Sequence, residues 1–450
     1  MARNPRRDPN PPRTLAHMRS PIEPYLQELV DELRSDDNGH LADYIPELAQ
    51  VDPDCFGVAI AMLDGQVYAA GDAEASFTIQ SVAKAFTYAL AIRECGLDRV
   101  LEHVGVEPSG DAFNEISVDK HGRPANPMIN AGAITTFALV PGESAEEKFA
   151  TVLRFLSDCA GRDLDVDEVV FESEMSSAYR NLGIANILRA GDRLPAEPDV
   201  AVEGYIRQSA VRVTTRDLAL MGATLASGGI QPRTGNRVLD DDTAGHVLSV
   251  MTTCGMYDAA GDWVSSVGIP AKSGVGGGIL GALPGRLGLA TFSPRLDEHG
   301  NSVRGVLACE RLSRALGLHL MRIPEIGQLA LREAVVTNYV QNDVGDAAVF
   351  RLQGTLDFVS AEAVVRRMSR EEVSERYVVL DLTDVHAAKS VALEMIAFVL
   401  REFDAAGNFV YLIDPEHIYG ESELHEYGLD GLVQRVDTWD EGYERAVSLQ

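Results

Sequence analysis

The sequence lacks the features that anchor a protein in a membrane or direct it out of the cell. No hydrophobic run approaches the roughly 20 residues that a bilayer-spanning helix requires. The amino-terminal segment is rich in proline and arginine but has no apolar stretch like that of a signal peptide, which predicts a disordered tail over residues 1–19. We therefore expect a cytoplasmic protein.

Cysteine and histidine are scarce, and basic residues are outnumbered by acidic ones. The cysteines are scattered and form no C-x-x-C pair, so neither a disulfide framework nor a zinc site is predicted; they are Cys55, Cys95, Cys159, Cys254 and Cys309. The histidines form no cluster with metal-ligand spacing, so we predict no metal and no cofactor. A net charge of −29 would repel nucleic acid and anionic membranes.

What is present is a globular composition, 46% hydrophobic and 24% charged, in a chain of 450 residues that favours two or three domains. Strand patterns at 55–71 and from about 264 to 293 flank a largely helical middle, and a closing helix starts at 303, which predicts an α+β domain over 20–318. A linker at 319–345 precedes regular strand–helix alternation, which predicts a small α/β domain over 346–450.

Two local patterns in the first domain are specific. Asp64-Gly65 is a strong hairpin signal between two short apolar runs, so residues 55–71 are predicted to form antiparallel strands. A helix is expected from about Gln80 to Glu94, and Gly96 would end it.

The sequence contains two Ser-x-x-Lys pairs, although its few lysines predict fewer than one by chance. Ser81 and Lys84 open the apolar helix, so both side chains would share one face. Burial would lower the pKa of Lys84 and let it act as general base for a serine nucleophile. The alternative is a serine N-cap followed by a snorkelling lysine. Ser117 and Lys120 lie in a polar stretch and are expected at the surface.

A second motif, Lys272-Ser273-Gly274, is followed by further glycines in a predicted strand region. Glycines there suit a site edge where the backbone approaches a ligand, although a flexible loop would have the same composition. Together, S-x-x-K on a helix and K-S-G on a later strand match the ground plan of serine β-lactamases and penicillin-binding proteins.

Longer segments extend this match over roughly residues 20–318. They include "QSVAKAFTYALAI", "GRPANPMINAGAI", "SAYRNLGIANIL", "CGMYDAAGDWVSSVGIPAKSGVGGGILG" and "SPRLDEHGNSVRGV", and they resemble the serine-dependent glutaminases. The resemblance implies a β-lactamase-like fold, in which an antiparallel sheet carries a largely helical subdomain. It also implies hydrolysis of L-glutamine to L-glutamate and ammonia, and a homodimer or homotetramer.

The resemblance further implies a set of site residues. Ser81 would be the nucleophile, Lys84 its base, and Tyr257 a hydroxyl that assists proton transfer. The implied substrate contacts are Tyr44, Gln80, Asn130, Glu174, Asn181 and Tyr205, and a backbone N–H of Val275 would complete an oxyanion hole with that of Ser81. Taken singly, each has an ordinary structural alternative, such as a cap for Asn130, a solvated helix face for Glu174 and the core for the tyrosines.

The second domain resembles a STAS domain through "FRLQGTLDFVSAEAV" and "YVVLDLTDVHAAKSVALEMI". Partner-switching relatives carry an Asp-Ser pair where this chain has Lys389 and Ser390, so we expect Ser390 only to cap the following helix. The domain is predicted to regulate the enzyme, to help it oligomerise, or to bind a small ligand or a protein, and these alternatives stay open.

Two other functions fit parts of the pattern. A β-lactam or D-Ala-D-Ala hydrolase would share the fold, but its substrate lies outside the membrane and no export signal is evident. In a regulatory interaction protein, the first domain would be only an inactive scaffold. The presence of Ser81, Lys84 and Tyr257 disfavours this alternative.

Overall fold

The computed structural model describes residues 20–43, 45–109, 117–322, 331–337, 347–370, 373 and 377–436, and only the backbone of 331–337. The chain divides into a larger compact unit, residues 23–314 and 318–321, and a smaller one that includes the residues from 322 onward. The tail predicted for residues 1–19 and the predicted substrate contact Tyr44 lie outside the described residues. None of the described helices has the length and apolarity needed to cross a bilayer.

The larger unit is built on a five-stranded antiparallel sheet with the order β2-β1-β7-β6-β5. Its strands are β1 Gly57–Met62, β2 Val67–Gly71, β5 Ala271–Ser273, β6 Gly278–Leu283 and β7 Leu287–Phe292, while β3 Phe77–Thr78 and β4 Arg212–Val213 pair separately. The hairpin prediction is confirmed, because β1 and β2 pair antiparallel around a turn in which Gly65 has a φ of 88°.

Helices fill most of the sequence between the two groups of strands, as predicted. Helix α1 Ile22–Leu33 precedes β1. The helices between the strand groups are α2 Ala83–Cys95, α3 Leu97–Leu101, α4 Asn130–Leu139, α5 Ala145–Ala160, α6 Glu168–Ser176, α7 Tyr179–Ala190, α8 Pro198–Ser209, α9 Thr215–Ala226, α10 Asp241–Cys254 and α11 Ala260–Ser266, and α12 Val303–Leu316 follows β7. Helix α2 ends before Gly96, which has a φ of 82°, as expected. The strand predicted from residue 264 is wrong at its start: Trp263 and Val267, one helical turn apart, are both buried, which favours α11.

Helix α9 packs directly on β1, β6 and β7. Glycine makes this contact close: a Cβ on Gly288 of β7 would lie 2.1 Å from the carbonyl oxygen of Ala219 in α9. Only a residue without a side chain permits the two backbones to approach in this way. The helix therefore joins the sheet to the buried cluster that also contains much of α2 and α5.

The smaller unit is a five-stranded mixed sheet with the order β12-β11-β10-β9-β8. Its elements are β8 Leu331–Thr337, β9 Ala347–Leu356, α13 Phe358–Arg370, β10 Tyr377–Ala388, α14 Ser390–Ala406, β11 Phe409–Ile413, α15 Glu421–Glu426 and β12 Val433–Val436. Strands β9 to β12 pair in parallel, which confirms the predicted strand–helix alternation. Strand β8 pairs antiparallel with β9 and lies in the segment that the sequence predicts to be a linker.

The expected capping role of Ser390 is wrong. Lys389 is the N-cap residue of α14, without a capping side-chain hydrogen bond, and Ser390 is the first helical residue. The N–H of Lys389 donates to the carbonyl oxygen of Leu356 at 2.8 Å. The carbonyl oxygen of Lys389 already accepts from the N–H groups of Ala392 at 2.9 Å and Leu393 at 3.2 Å, so the helix begins one residue earlier than a Ser390 cap would require.

Candidate active site

Ser81 and Lys84 lie at the amino-terminal end of α2, inside the larger unit. A 3-10 turn, Gln80–Val82, leads into the helix and carries Ser81, which is 7% exposed. Lys84 is fully buried at 0% exposure, so it does not snorkel to solvent. Gln80 begins the turn with a φ of 49°, a left-handed conformation that non-glycine residues rarely adopt outside constrained sites.

The glycine-rich segment after β5 packs against this turn. A Cβ on Gly274 would lie 3.0 Å from the carbonyl oxygen of Ile79 and 3.3 Å from the backbone nitrogen of Ser81. The next residue, Val275, is buried at 4% exposure. The K-S-G segment and the Ser81 turn are therefore neighbours through their backbones, which is the close approach that the glycines suggest.

A chain of hydrogen bonds connects Lys84 to three other predicted site residues. The Lys84 Nζ donates to Asn130 Oδ1 at 2.7 Å, and the Tyr205 hydroxyl donates to the same oxygen at 3.1 Å. Asn130 Nδ2 in turn donates to Asn181 Oδ1 at 3.1 Å. Helices α4, α7 and α8 thus each contribute one polar side chain to a network that reaches the Lys84 amine through Asn130.

Glu174 of α6 belongs to the same cluster. Its Oε2 is buried and has no hydrogen-bond partner among the described residues. Burial raises the pKa of Glu174 to about 7, against the opposing effects of the Lys84 charge and of a hydrogen bond with the Gln80 side chain. A buried carboxylate oxygen without a donor can accept a hydrogen bond from a bound cationic group.

Lys84 has the electrostatic property that a general base requires. Burial lowers its pKa from 10.5 to about 7, while the nearby Glu174 carboxylate acts in the opposite direction. Near neutral pH, a large fraction of this amine is therefore uncharged and can accept a proton.

Tyr257 is bonded both to Ser81 and to the K-S-G strand. It lies in a short 3-10 turn, Tyr257–Ala259, with a φ of 56°. Its hydroxyl donates to the carbonyl oxygen of Ser273 at 3.1 Å, and it is also hydrogen-bonded to the Ser81 side chain. Because the single phenolic proton goes to the carbonyl, Ser81 is the donor in the second bond. Burial raises the pKa of Tyr257, which keeps the phenol neutral.

The sequence-based residue set omits two polar groups that bond to Ser273, the residue whose carbonyl oxygen accepts from the Tyr257 hydroxyl. Lys272 is fully buried, donates from Nζ to the Ser273 carbonyl oxygen at 2.6 Å, and lies 4.1 Å from the centre of the Tyr257 ring. Burial, and secondarily the Lys84 charge, hold the pKa of Lys272 well below its usual value. The K-S-G motif signalled Lys272. The other group is Asn301, whose Oδ1 accepts from Ser273 Oγ at 2.5 Å and which no motif chemistry pointed to.

All predicted site residues that the structure describes therefore lie at or next to one cluster of contacts around Ser81 and Lys84. No group of three or more His, Cys, Asp or Glu side chains that could hold a metal ion occurs in the part of the chain that the structure describes. The antiparallel sheet, the buried serine and lysine at the head of α2, and the K-S-G strand define an enzyme domain of the β-lactamase-like class.

Comparisons with known proteins identify the family. A glutaminase family model matches residues 39–321, and a STAS domain model matches residues 338–441. A glutaminase from Corynebacterium glutamicum is 46% identical over 400 residues, which cover 88% of this chain and 95% of that protein. A glutaminase from Nostoc is 47% identical over 309 residues, which cover 68% of this chain and 92% of the relative.

A solved structure shows the same architecture. The crystal structure of Mglu superposes with a TM-score of 0.67 at 48% identity and covers 89% of this chain and 100% of its own. The chain therefore belongs to the glutaminase family of enzymes and carries a carboxy-terminal STAS domain. Both resemblances noted in the sequence are confirmed.

Proposed function

We propose that the chain hydrolyses the side-chain amide of L-glutamine to L-glutamate and ammonia, with Ser81 as nucleophile and Lys84 as its base. One observation carries this proposal. A fully buried amine with a pKa of about 7 lies one turn of helix from a buried serine hydroxyl. A lysine in this state can remove a proton from serine near neutral pH, whereas a solvated lysine would be protonated.

The surrounding residues suit an amino-acid substrate. Glutamine brings an ammonium and a carboxylate, and both need partners when they leave water. Glu174 Oε2 would accept from the ammonium, since it is buried and lacks a donor among the described residues. Gln80, Asn130, Asn181 and Tyr205, together with Tyr44, would bind the carboxylate and the side-chain amide without adding charge.

The reaction would proceed through a covalent intermediate. Ser81 Oγ attacks the amide carbon while its proton passes to Lys84, and Tyr257 assists the transfer. The backbone N–H groups of Ser81 and Val275 would stabilise the oxyanion of the tetrahedral intermediate. The proton then moves to the leaving nitrogen, the C–N bond breaks, and ammonia departs from a glutamyl ester on Ser81. Water attacks this ester by the reverse proton path and releases glutamate.

Ammonia release tests the proposal directly. The purified full chain and Ser81→Ala are compared with L-glutamine as substrate and L-asparagine as control, with and without phosphate. We expect release from glutamine by the wild type only, with the variant folded and inactive. Equal activity of the two proteins would exclude Ser81 as nucleophile, and no release by either would contradict the proposed reaction.

We further propose that the STAS domain regulates the enzyme, supports a homodimer or homotetramer in the cytoplasm, or binds a small ligand or a protein. The acidic chain is not suited to nucleic acid or anionic membrane. Light scattering after gel filtration tests the oligomer. A mass of 48.6 kDa at every protein concentration would show a monomer and contradict the homodimer and homotetramer.

A further inference from the structure

The loop between β7 and α12 contains the segment "DEHGN", residues 297–301, for which the proposed mechanism has no role. Its first residue organises it: Asp297 Oδ1 accepts from the backbone N–H groups of His299 and Asn301, each at 2.9 Å. The N–H of Asp297 also donates to the carbonyl oxygen of Asn301 at 2.8 Å. The loop is therefore held by its own bonds and presents the side chains of His299 and Asn301 to its neighbours.

Asn301 provides the first connection to the site. It is 1% exposed, and its Oδ1 accepts from the Ser273 hydroxyl, which is fully buried. The carbonyl oxygen of Ser273 is the acceptor for the Tyr257 hydroxyl. Asn301 thus holds Ser273 in place, and the carbonyl oxygen of Ser273 orients the Tyr257 hydroxyl.

His299 provides the second connection. Its Nδ1 lies 3.0 Å from Oδ2 of Asp258, the residue that directly follows Tyr257. Tyr257 has a φ of 56°, a conformation that is unfavourable for a bulky residue and persists only where neighbours enforce it. The loop therefore contacts Tyr257 at both ends: at its backbone through Asp258, and at its hydroxyl through Ser273.

We propose that residues 297–301 form a positioning loop that holds the Tyr257 hydroxyl in line with Ser81, through Asn301 on one side and His299 on the other. The proposal rests on the proposed function, in which Tyr257 assists proton transfer. His299 and Asn301 touch neither the substrate nor the nucleophile and act only through Tyr257 and Ser273. The loop should accordingly influence turnover and leave substrate binding nearly unchanged.

The connection through His299 depends on pH. The groups that face the imidazole are acidic: Asp258 at 3.0 Å, Glu298 at 3.7 Å, and Asp297 within the same loop. Asp258 in particular raises the pKa of His299 above its usual value. Deprotonation at higher pH replaces an ion pair by a weaker neutral hydrogen bond. The wild type should therefore lose part of its kcat as His299 deprotonates, and His299→Gln should not show this step.

Steady-state kinetics of full-length variants test the loop. Asn301→Ala should lower kcat about 10- to 100-fold, because a small displacement of a reacting group is costly. His299→Gln should lower it about two- to fivefold, as an exposed ion pair contributes little. In both variants KM should stay within about twofold of the wild-type value. Asn301→Asp, which keeps the acceptor oxygen, should retain more activity than Asn301→Ala.

Two controls separate positioning from general damage. Ser273→Ala combined with Asn301→Ala should be no slower than the slower single variant, because both changes remove the same hydrogen bond. His425→Gln removes a similar contact, since His425 Nδ1 lies 2.7 Å from Asp430 Oδ2 in the smaller unit, and it should leave kcat unchanged.

An unchanged kcat, or a loss that appears mainly in KM, would overturn the positioning loop while leaving the proposed function intact. If the wild type itself is inactive, the proposed function fails. A crystal structure of Asn301→Ala then tests whether the loop positions Tyr257. Tyr257 still at its left-handed φ and still bonded to the Ser273 carbonyl would refute the inference. Displacement of either feature would uphold it.

Discussion

The chain contains the spacing Ser-x-x-Lys twice, and the structure places the two pairs in different environments. Lys84 is fully buried at the start of a helix, whereas Lys120 is exposed. Residues 117–125 are extended around a turn, with the N–H of Ala125 donating to the carbonyl oxygen of Ser117 at 3.0 Å. The expected surface position is confirmed for Lys120 and wrong for Ser117, which this pairing buries to 7% exposure.

The difference shows what gives the spacing its chemical meaning. In a helix, residues three apart share a face, and burial of that face lowers the pKa of the lysine. In an extended segment with a turn, the same spacing separates the two side chains and leaves the amine in water. Burial and helical geometry therefore matter more than the motif itself.

The largest expected contrast is in turnover. Lys84→Met should lower kcat by about 10²- to 10⁴-fold, the usual range for loss of a general base. Lys120→Met, which removes an exposed amine at the same spacing, should stay within about twofold of the wild type. Ammonia release from L-glutamine measures both, with circular dichroism to verify folding. A similar loss in the two variants would mean that burial is not what distinguishes the pairs.

The pH dependence of activity should reflect the buried environment that distinguishes Lys84 from Lys120. The lowered pKa of Lys84 and the raised pKa of Glu174 are both about 7, and each group is in its working form when deprotonated. Activity should therefore rise with pH below pH 7, by about ten- to a hundredfold per unit, and above pH 7 only the smaller decline expected from His299 should remain. Because the two groups interact electrostatically, the rising part of the pH profile reports apparent pKa values of the pair and not of either residue alone. A kcat/KM profile that is flat between pH 5.5 and 7 would contradict these assignments.

The smallest expected effect concerns stability. Because folding lowers the pKa of Lys84, the loss of stability from burying its charge is fully present below about pH 7. Because folding raises the pKa of Glu174, the loss of stability from burying its carboxylate is fully present above about pH 7. Replacing both by neutral residues, Lys84→Met with Glu174→Gln, should increase the free energy of unfolding at pH 7 by roughly 1–4 kcal/mol.

Urea denaturation at pH 7 measures this gain. Lys120→Met is the matched surface control and should change the free energy of unfolding by less than about 0.5 kcal/mol. A destabilised double variant would show that the buried pair supports the fold as well as the chemistry.

Local patterns were enough to predict many of the elements. The hairpin around Gly65, helix α2 and the alternating elements of the smaller unit follow from periodicity and turn residues. Strand β8 was missed because nothing in its own sequence reveals the partner strand with which it pairs. The start of α11 was assigned to a strand because a short apolar run does not distinguish the two.

The site was only partly within reach of residue-level reasoning. Ser81, Lys84 and Lys272 stand in motifs whose spacing carries chemistry. Asn130, Glu174, Asn181 and Tyr205 lie on separate helices, and their contacts depend on how these helices pack, so only the family resemblance pointed to them. The contact between Asp258 and His299 joins distant parts of the sequence and leaves no local signal.

Strand β8 has a practical consequence for dividing this protein into fragments. It covers the outer side of β9, a strand of ten residues. A fragment that begins between the two strands would expose a row of unpaired N–H and C=O groups along β9, which is a template for aggregation between copies. A fragment that begins before Leu331 keeps this edge sealed, although Leu331 precedes the stretch in which strands and helices alternate.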